Sequence, residues 1–136
     1  MPKRAPSSSP ADAQRLTGDY AAASYQEALD LFRDLGQPLG QAEALNRLGE
    51  LSTRTSATGQ ARDQHTRALA IARDISATPE EARALEGLGR AHLQGGDHDK
   101  GLDYLRQALT IYQRIGAPAA QRVRETLRNP SSPEST

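Results

Sequence analysis

His92, Asp97, His98 and Asp99 fall close together around the double glycine Gly95-Gly96. Imidazole nitrogens and carboxylate oxygens ligate divalent cations, and a histidine beside a carboxylate can also move protons. A structural zinc takes four ligands, however, and the chain has no cysteine. His92 and His98 stand six residues apart across a glycine turn, a separation that fits no common ligand spacing. The same residues suit a turn: the glycines let the chain reverse, and Asp97 can cap the helix that follows. His65 has the chemistry of a general base, yet no nucleophile motif or carboxylate pair accompanies it. Arg122, Arg124 and Arg128 could touch phosphates, but Glu125 interrupts them and no aromatic residue offers stacking. They are read as the solvated face of a terminal helix. No enzyme, metal or cofactor is expected, and no direct nucleic-acid contact.

The elements that hold these residues follow from a repeat. Residues 44–83 laid over 84–123 align Ala44 with Ala84, Leu45 with Leu85, Leu48 with Leu88 and Gly49 with Gly89. Further along, Ala68, Leu69, Ile71 and Ile75 align with Ala108, Leu109, Ile111 and Ile115. The polar residues between them differ, which is the trace of a repeated packing unit. The preceding block joins through Ala28, Leu29, Leu31 and Leu35, with Phe32 in the slot of Ala72 and Tyr112. Tyr25, Ala28, Leu29, Phe32 and Leu35 follow one helical stripe, as do Leu105, Ala108, Leu109, Tyr112 and Ile115. Gly and Pro residues separate the stripes. The spacing predicts helices near 19–35, 39–54, 59–75, 79–94, 98–115 and 118–128, with short turns implying antiparallel hairpins.

Composition sets limits around this frame. Lys and Arg together number 17, as do Asp and Glu, so no global field draws the chain to nucleic acid or an anionic membrane. The basic residues are 15 Arg and 2 Lys, read as the codon bias of a GC-rich genome. Trp is absent and Phe32 is the only phenylalanine, so the core must be thin and built from Leu, Ile, Ala and Tyr. No apolar run of about 20 residues is present, and the start MPKRAPSSSPADAQ lacks a signal-peptide core. A cytoplasmic location is expected. Residues 1–10 and 129–136, rich in Pro and Ser, are expected to be disordered.

Leu88-Gly89, the Gly96-Asp97 turn, Gly101, Leu105 and Ala108 resemble a tetratricopeptide repeat. Leu48, Gly49, Ala61, His65 and Ala68 repeat the pattern one unit earlier. The usual unit has about 34 residues; this one has forty, similar to arrays at the carboxyl ends of bacterial, often actinobacterial, signalling ATPases and transcriptional regulators. The resemblance implies an all-α, right-handed superhelical array of antiparallel hairpins. It divides the domain 11–128 into a truncated unit 16–38, full units 39–77 and 79–117, and a capping helix 118–128. His65 shares a slot with Tyr25 and Leu105, so it is expected to be a packed side chain. The sequence departs from the pattern at Ser56, which replaces the turn glycine, so the middle hairpin is expected to turn differently, using Gly59. The Gly18-Asp19 pair is taken as a turn after a stub at 11–17. No GxxxxGK[ST] occurs, so nucleotide hydrolysis does not carry over.

In such arrays the first helix of each hairpin lines the concave face. That implies a working surface of Glu43, Asn46, Glu50, Thr53 and Arg54 in one unit and Arg83, Glu86, Arg90, Leu93 and Gln94 in the next. The opposite charges at Glu50/Arg90 and Glu43/Arg83 read either as salt bridges between units or as walls of a polar groove for a peptide or partner helix. The function expected is a non-catalytic protein-interaction module related to a bacterial regulator. The alternative is a sensor gated by a ligand or signal peptide that changes the array's curvature. Exposed Tyr25 and Phe32 predict self-association, or dependence on a partner, through helix 19–35.

Overall fold

Five turns of one kind organise the chain. Gly36, Ser56, Ser76, Gly96 and Gly116 all take positive φ, and they recur every twenty residues. At each, the next amide reaches back five residues to close the helix before it: Gln37 to Phe32, Ala57 to Ser52, Ala77 to Ala72, Asp97 to His92 and Ala117 to Tyr112. This is the bonding that satisfies the last carbonyls of a helix through a left-handed residue. Ser56 therefore makes the turn expected of a glycine, while Gly59 lies inside the next helix. The expectation of a different turn there is corrected: a left-handed serine is strained but permitted.

The computed structural model describes the backbone of residues 10–130 and the side chains of residues 16–130. Six helices occur among the described residues: α1 (Pro10–Asp34), α2 (Pro38–Arg54), α3 (Thr58–Asp74), α4 (Thr78–Gln94), α5 (His98–Arg114) and α6 (Ala119–Arg128). Of the segments expected to be disordered, residues 1–9 and 131–136 lie outside the described residues, whereas Pro10 opens α1 and Asn129 and Pro130 follow α6. The Gly18-Asp19 turn is also corrected. α1 runs unbroken through it, with Gly18 in open space and the flanking alanines favouring helix.

α2 packs on α3 and α4 on α5 as hairpins, α3 joins the two, and α2 also touches α4. α1 lies against α2, and α6 against α5. Leu29, Leu45, Leu48, Leu69, Leu85, Leu88, Leu105 and Val123 run through one continuous core with Ala44, Ala68, Ala84 and Ala108. Burying a leucine such as Leu85 contributes roughly 1.5–3 kcal/mol. The small residues matter as much: a methyl group on Gly89 would lie 2.7 Å from Leu105 Cγ and 2.9 Å from the Gly101 carbonyl oxygen. The hairpin α4–α5 closes only because that position is empty. The all-α fold of stacked helix pairs is what the repeat predicted.

Candidate functional site

A groove of about 690 Å³ opens along the first helices α2, α4 and α6. Glu50, Thr53 and Arg54 enter it from α2, and Arg83, Glu86, Arg90, Leu93 and Gln94 from α4. These are eight of the ten positions expected on the concave face. Glu43 is exposed elsewhere on α2. Arg47, His65, Gly87, Arg122, Thr126 and Pro130 also line the groove and were not foreseen there. Among the described residues Arg83 pairs with Glu80 of its own helix, at 3.9 Å, instead of with Glu43.

Two positions expected to face solvent do not. Asn46 is fully buried, and Glu86 is only 6 % exposed although one edge reaches the groove. Thr126, one period further on, is buried as well, so a polar column runs up the inner side of the first helices. Partners enclose the first two: Asn46 is covered by α4 through Glu80, and Glu86 by Arg122 of α6 and Tyr112 of α5. Asn46 Nδ2 donates to the Glu80 carbonyl oxygen at 3.2 Å and to Glu80 Oε1 at 3.0 Å. With its amide nitrogen so used, Asn46 Oδ1 accepts from His65 Nδ1 at 2.9 Å. That fixes the imidazole as the Nδ1–H tautomer.

His65 is buried and packed, as its slot implied. Its ring is clamped between α2 and α4, where a methyl group on either Gly49 or Gly87 would run into it. Its Nε2 has no hydrogen-bond partner. Burial lowers the pKa from 6.5 to about 4, outweighing the opposing pull of the Glu86 charge, so the ring is neutral near pH 7. A neutral imidazole held by an amide, with its second nitrogen enclosed, is a packing element. Gly87 was missed by sequence reading, although it replaces Arg47 in the repeat and so marks room made for the neighbouring histidine.

Glu86 is the second node. Arg122 of α6 forms a two-pronged pair with it, Nε to Oε2 and Nη2 to Oε1, both at 2.8 Å. Tyr112 of α5 donates its hydroxyl at 2.9 Å, and Arg90 Nε adds a bond at 3.1 Å. Burial pushes this carboxyl up, but the Arg122, Arg90 and Tyr112 contacts together hold it below its usual value. Burial, followed by the Glu86 charge, raises the Tyr112 phenol. The bond to Glu86 raises the Arg122 guanidinium. Arg122 keeps the exposure expected of it, its side chain 55 % exposed, and also ties α6 to the groove wall. Arg90 Nη2 also reaches Thr126 Oγ1 at 3.2 Å.

The residues around Gly95-Gly96 separate. His92 is buried and stacks on Tyr104, with ring centroids 5.4 Å apart and planes at 19°. Its pKa is lowered, by burial first and then by Arg62. His98 is exposed at the start of α5, and Asp97 Oδ1 accepts from the Lys100 amide at 3.3 Å, the capping bond expected. No cluster of three or more His, Asp or Glu able to hold a metal occurs among the described residues.

Helix pairs stacked at a forty-residue period, with first helices forming a groove, define an α-solenoid of helical hairpins. The chain belongs to the tetratricopeptide repeat family, whose model matches residues 41–114. It is similar to the Regulatory protein AfsR of Streptomyces griseus, at 34 % identity over 101 residues, 74 % of this chain and 10 % of that protein. It is also similar to the Tonsoku-like protein of Bos taurus, at 32 % identity over 99 residues, 71 % of this chain and 7 % of that protein. The chain therefore spans a tenth or less of the length of these curated relatives. Tetratricopeptide repeats generally mediate protein–protein interaction. No described helix is long and apolar enough to cross a membrane.

Proposed function

We propose that the chain is a non-catalytic interaction module that holds a peptide segment or partner helix in the groove along α2, α4 and α6, in the service of a regulatory protein. The observation that carries this reading is the charge of the groove. Arg47, Arg54, Arg83, Arg90 and Arg122 line it against only Glu50 and Glu86. Glu86 is already matched by Arg122 and Arg90. In a chain with no net charge, cations have been gathered on one surface. Such a surface attracts and orients carboxylate-bearing segments. Leu93 and Thr53 supply less polar wall between the guanidiniums, and no Phe, Tyr or Trp lines the groove for base stacking. Similarity to a regulatory protein supports the setting.

The test is quantitative affinity capture from the native host with the wild-type chain and with Arg54→Glu. Arg54 is exposed in the groove and is bonded to neither Glu86 nor Glu80, so the fold is expected to persist. Proteins retained by wild type and lost by the variant are the expected result. Identical capture by both would refute the groove as the working surface.

A further inference from the structure

The two ends of the stack are finished differently. α1 occupies the slot of α3 and α5, the second helix of a hairpin. At four positions along that slot the complete hairpins are sealed: Ala61, His65, Ala68 and Ala72 in α3, and Gly101, Leu105, Ala108 and Tyr112 in α5 are all buried. Their counterparts in α1, Ala21, Tyr25, Ala28 and Phe32, are only half-buried, and Leu31 is 56 % exposed where Ile111 is 9 %. The difference has one source. α2 covers α3 and α4 covers α5, whereas no described helix covers the corresponding side of α1.

The other end is closed by charge. α6 takes the slot of a first helix, and Ala82, Leu85 and Leu88 there become Arg122, Glu125 and Arg128, all exposed. A second copy stacked head to tail would set the apolar side of α1 against these charged groups and strip their water. The α1 seam is therefore not built for the α6 end of another copy.

We propose that the seam formed by Ala21, Tyr25, Ala28 and Phe32 docks an amphipathic helix from another polypeptide segment, with the chemistry of a first helix. Its shape is set by the two internal precedents. Gly49 meets His65 and Gly89 meets Leu105, each leaving room for a large side chain. The incoming helix thus carries a glycine or alanine opposite Tyr25, one residue after a leucine that enters the core as Leu48 and Leu88 do. None of these four seam residues is among those that line the groove.

The probe is a labelled, end-capped peptide of residues 78–94, the α4 sequence, titrated into the full chain by fluorescence anisotropy. Saturable binding of one peptide per chain is expected. Weakening by about tenfold or more is expected both for a Gly89→Leu peptide and for a Tyr25→Arg chain that keeps its melting temperature, as truncating a central contact does. The peptide variant tests the fit without touching the chain's fold. No binding, equal binding by the Gly89→Leu peptide, or light scattering showing a dimer whose α1 seam excludes the peptide would each overturn the proposal.

Discussion

His65→Leu should flatten the acid limb of the chain's stability. In the folded chain the pKa of His65 is about 4, against 6.5 when freely solvated. Between those values the unfolded chain binds a proton that the folded chain refuses, so stability falls as pH falls through 6.5 and the loss is complete only near pH 4. At about 1.4 kcal/mol per unit, the whole shift amounts to roughly 3 kcal/mol, of which about 2 kcal/mol is lost by pH 5. Leucine is the side chain in the equivalent slot, at Leu105, so the variant can pack. Near neutral pH it is expected to be less stable by about 1–3 kcal/mol, because Asn46 Oδ1 loses its donor. The diagnostic is the slope. Urea unfolding followed by circular dichroism at pH 7, 6 and 5 should show wild type losing about 2 kcal/mol more than His65→Leu over that range. Glu86, whose carboxyl is held below its usual value, contributes stability that is lost only at lower pH, so it does not contaminate the window. His92 titrates in the same sense in both proteins and cancels in the comparison. Parallel slopes would refute a neutral, enclosed His65.

Three further outcomes follow from contacts in the stack. Gly87→Ala should cost about 1–3 kcal/mol by overpacking the imidazole, and chemical denaturation should find that cost largely removed when His65→Ala is added. Glu86→Gln should loosen α6 by about 1–2 kcal/mol through weaker bonds to Arg122 and Tyr112, seen as faster amide exchange in α6 and near Tyr112 of α5, with α2 and α3 unchanged. Ser56→Gly/Ser76→Gly should raise stability by about 1 kcal/mol in thermal unfolding, since two side chains leave left-handed backbone.

The period of forty and the helical stripes were legible because apolar residues repeat in register while polar ones do not. The breaks between helices were legible at all five turns, but their shared left-handed backbone was legible only where it carries glycine. Ser56 and Ser76 hide two of the five, and had they been counted, the twenty-residue register would have pointed to Leu16 and not to Gly18. α1 then reads as the single helix it is. Glu50, Thr53, Arg54, Arg90, Leu93 and Gln94 could be placed because the resemblance implies that first helices line the concave face, and helical spacing then sets which residues share that side. Asn46 and Glu86 could not, since a polar type suggests solvent and only the packing of neighbouring helices, α4 on Asn46 and α5 with α6 on Glu86, encloses them. Nothing in the sequence marks the pairing of Arg122 with Glu86 between α6 and α4.

The groove of α2, α4 and α6 is the proposed seat of partners. The most direct measurement places a photo-crosslinking amino acid at Thr53 or Gln94, which line the groove. The same amino acid goes at Arg67 or Gln107, which are exposed outside it. After irradiation in the native host, adducts are expected from the first pair and not from the second. Adducts of equal yield from both pairs, or from Arg67 and Gln107 alone, would contradict the account.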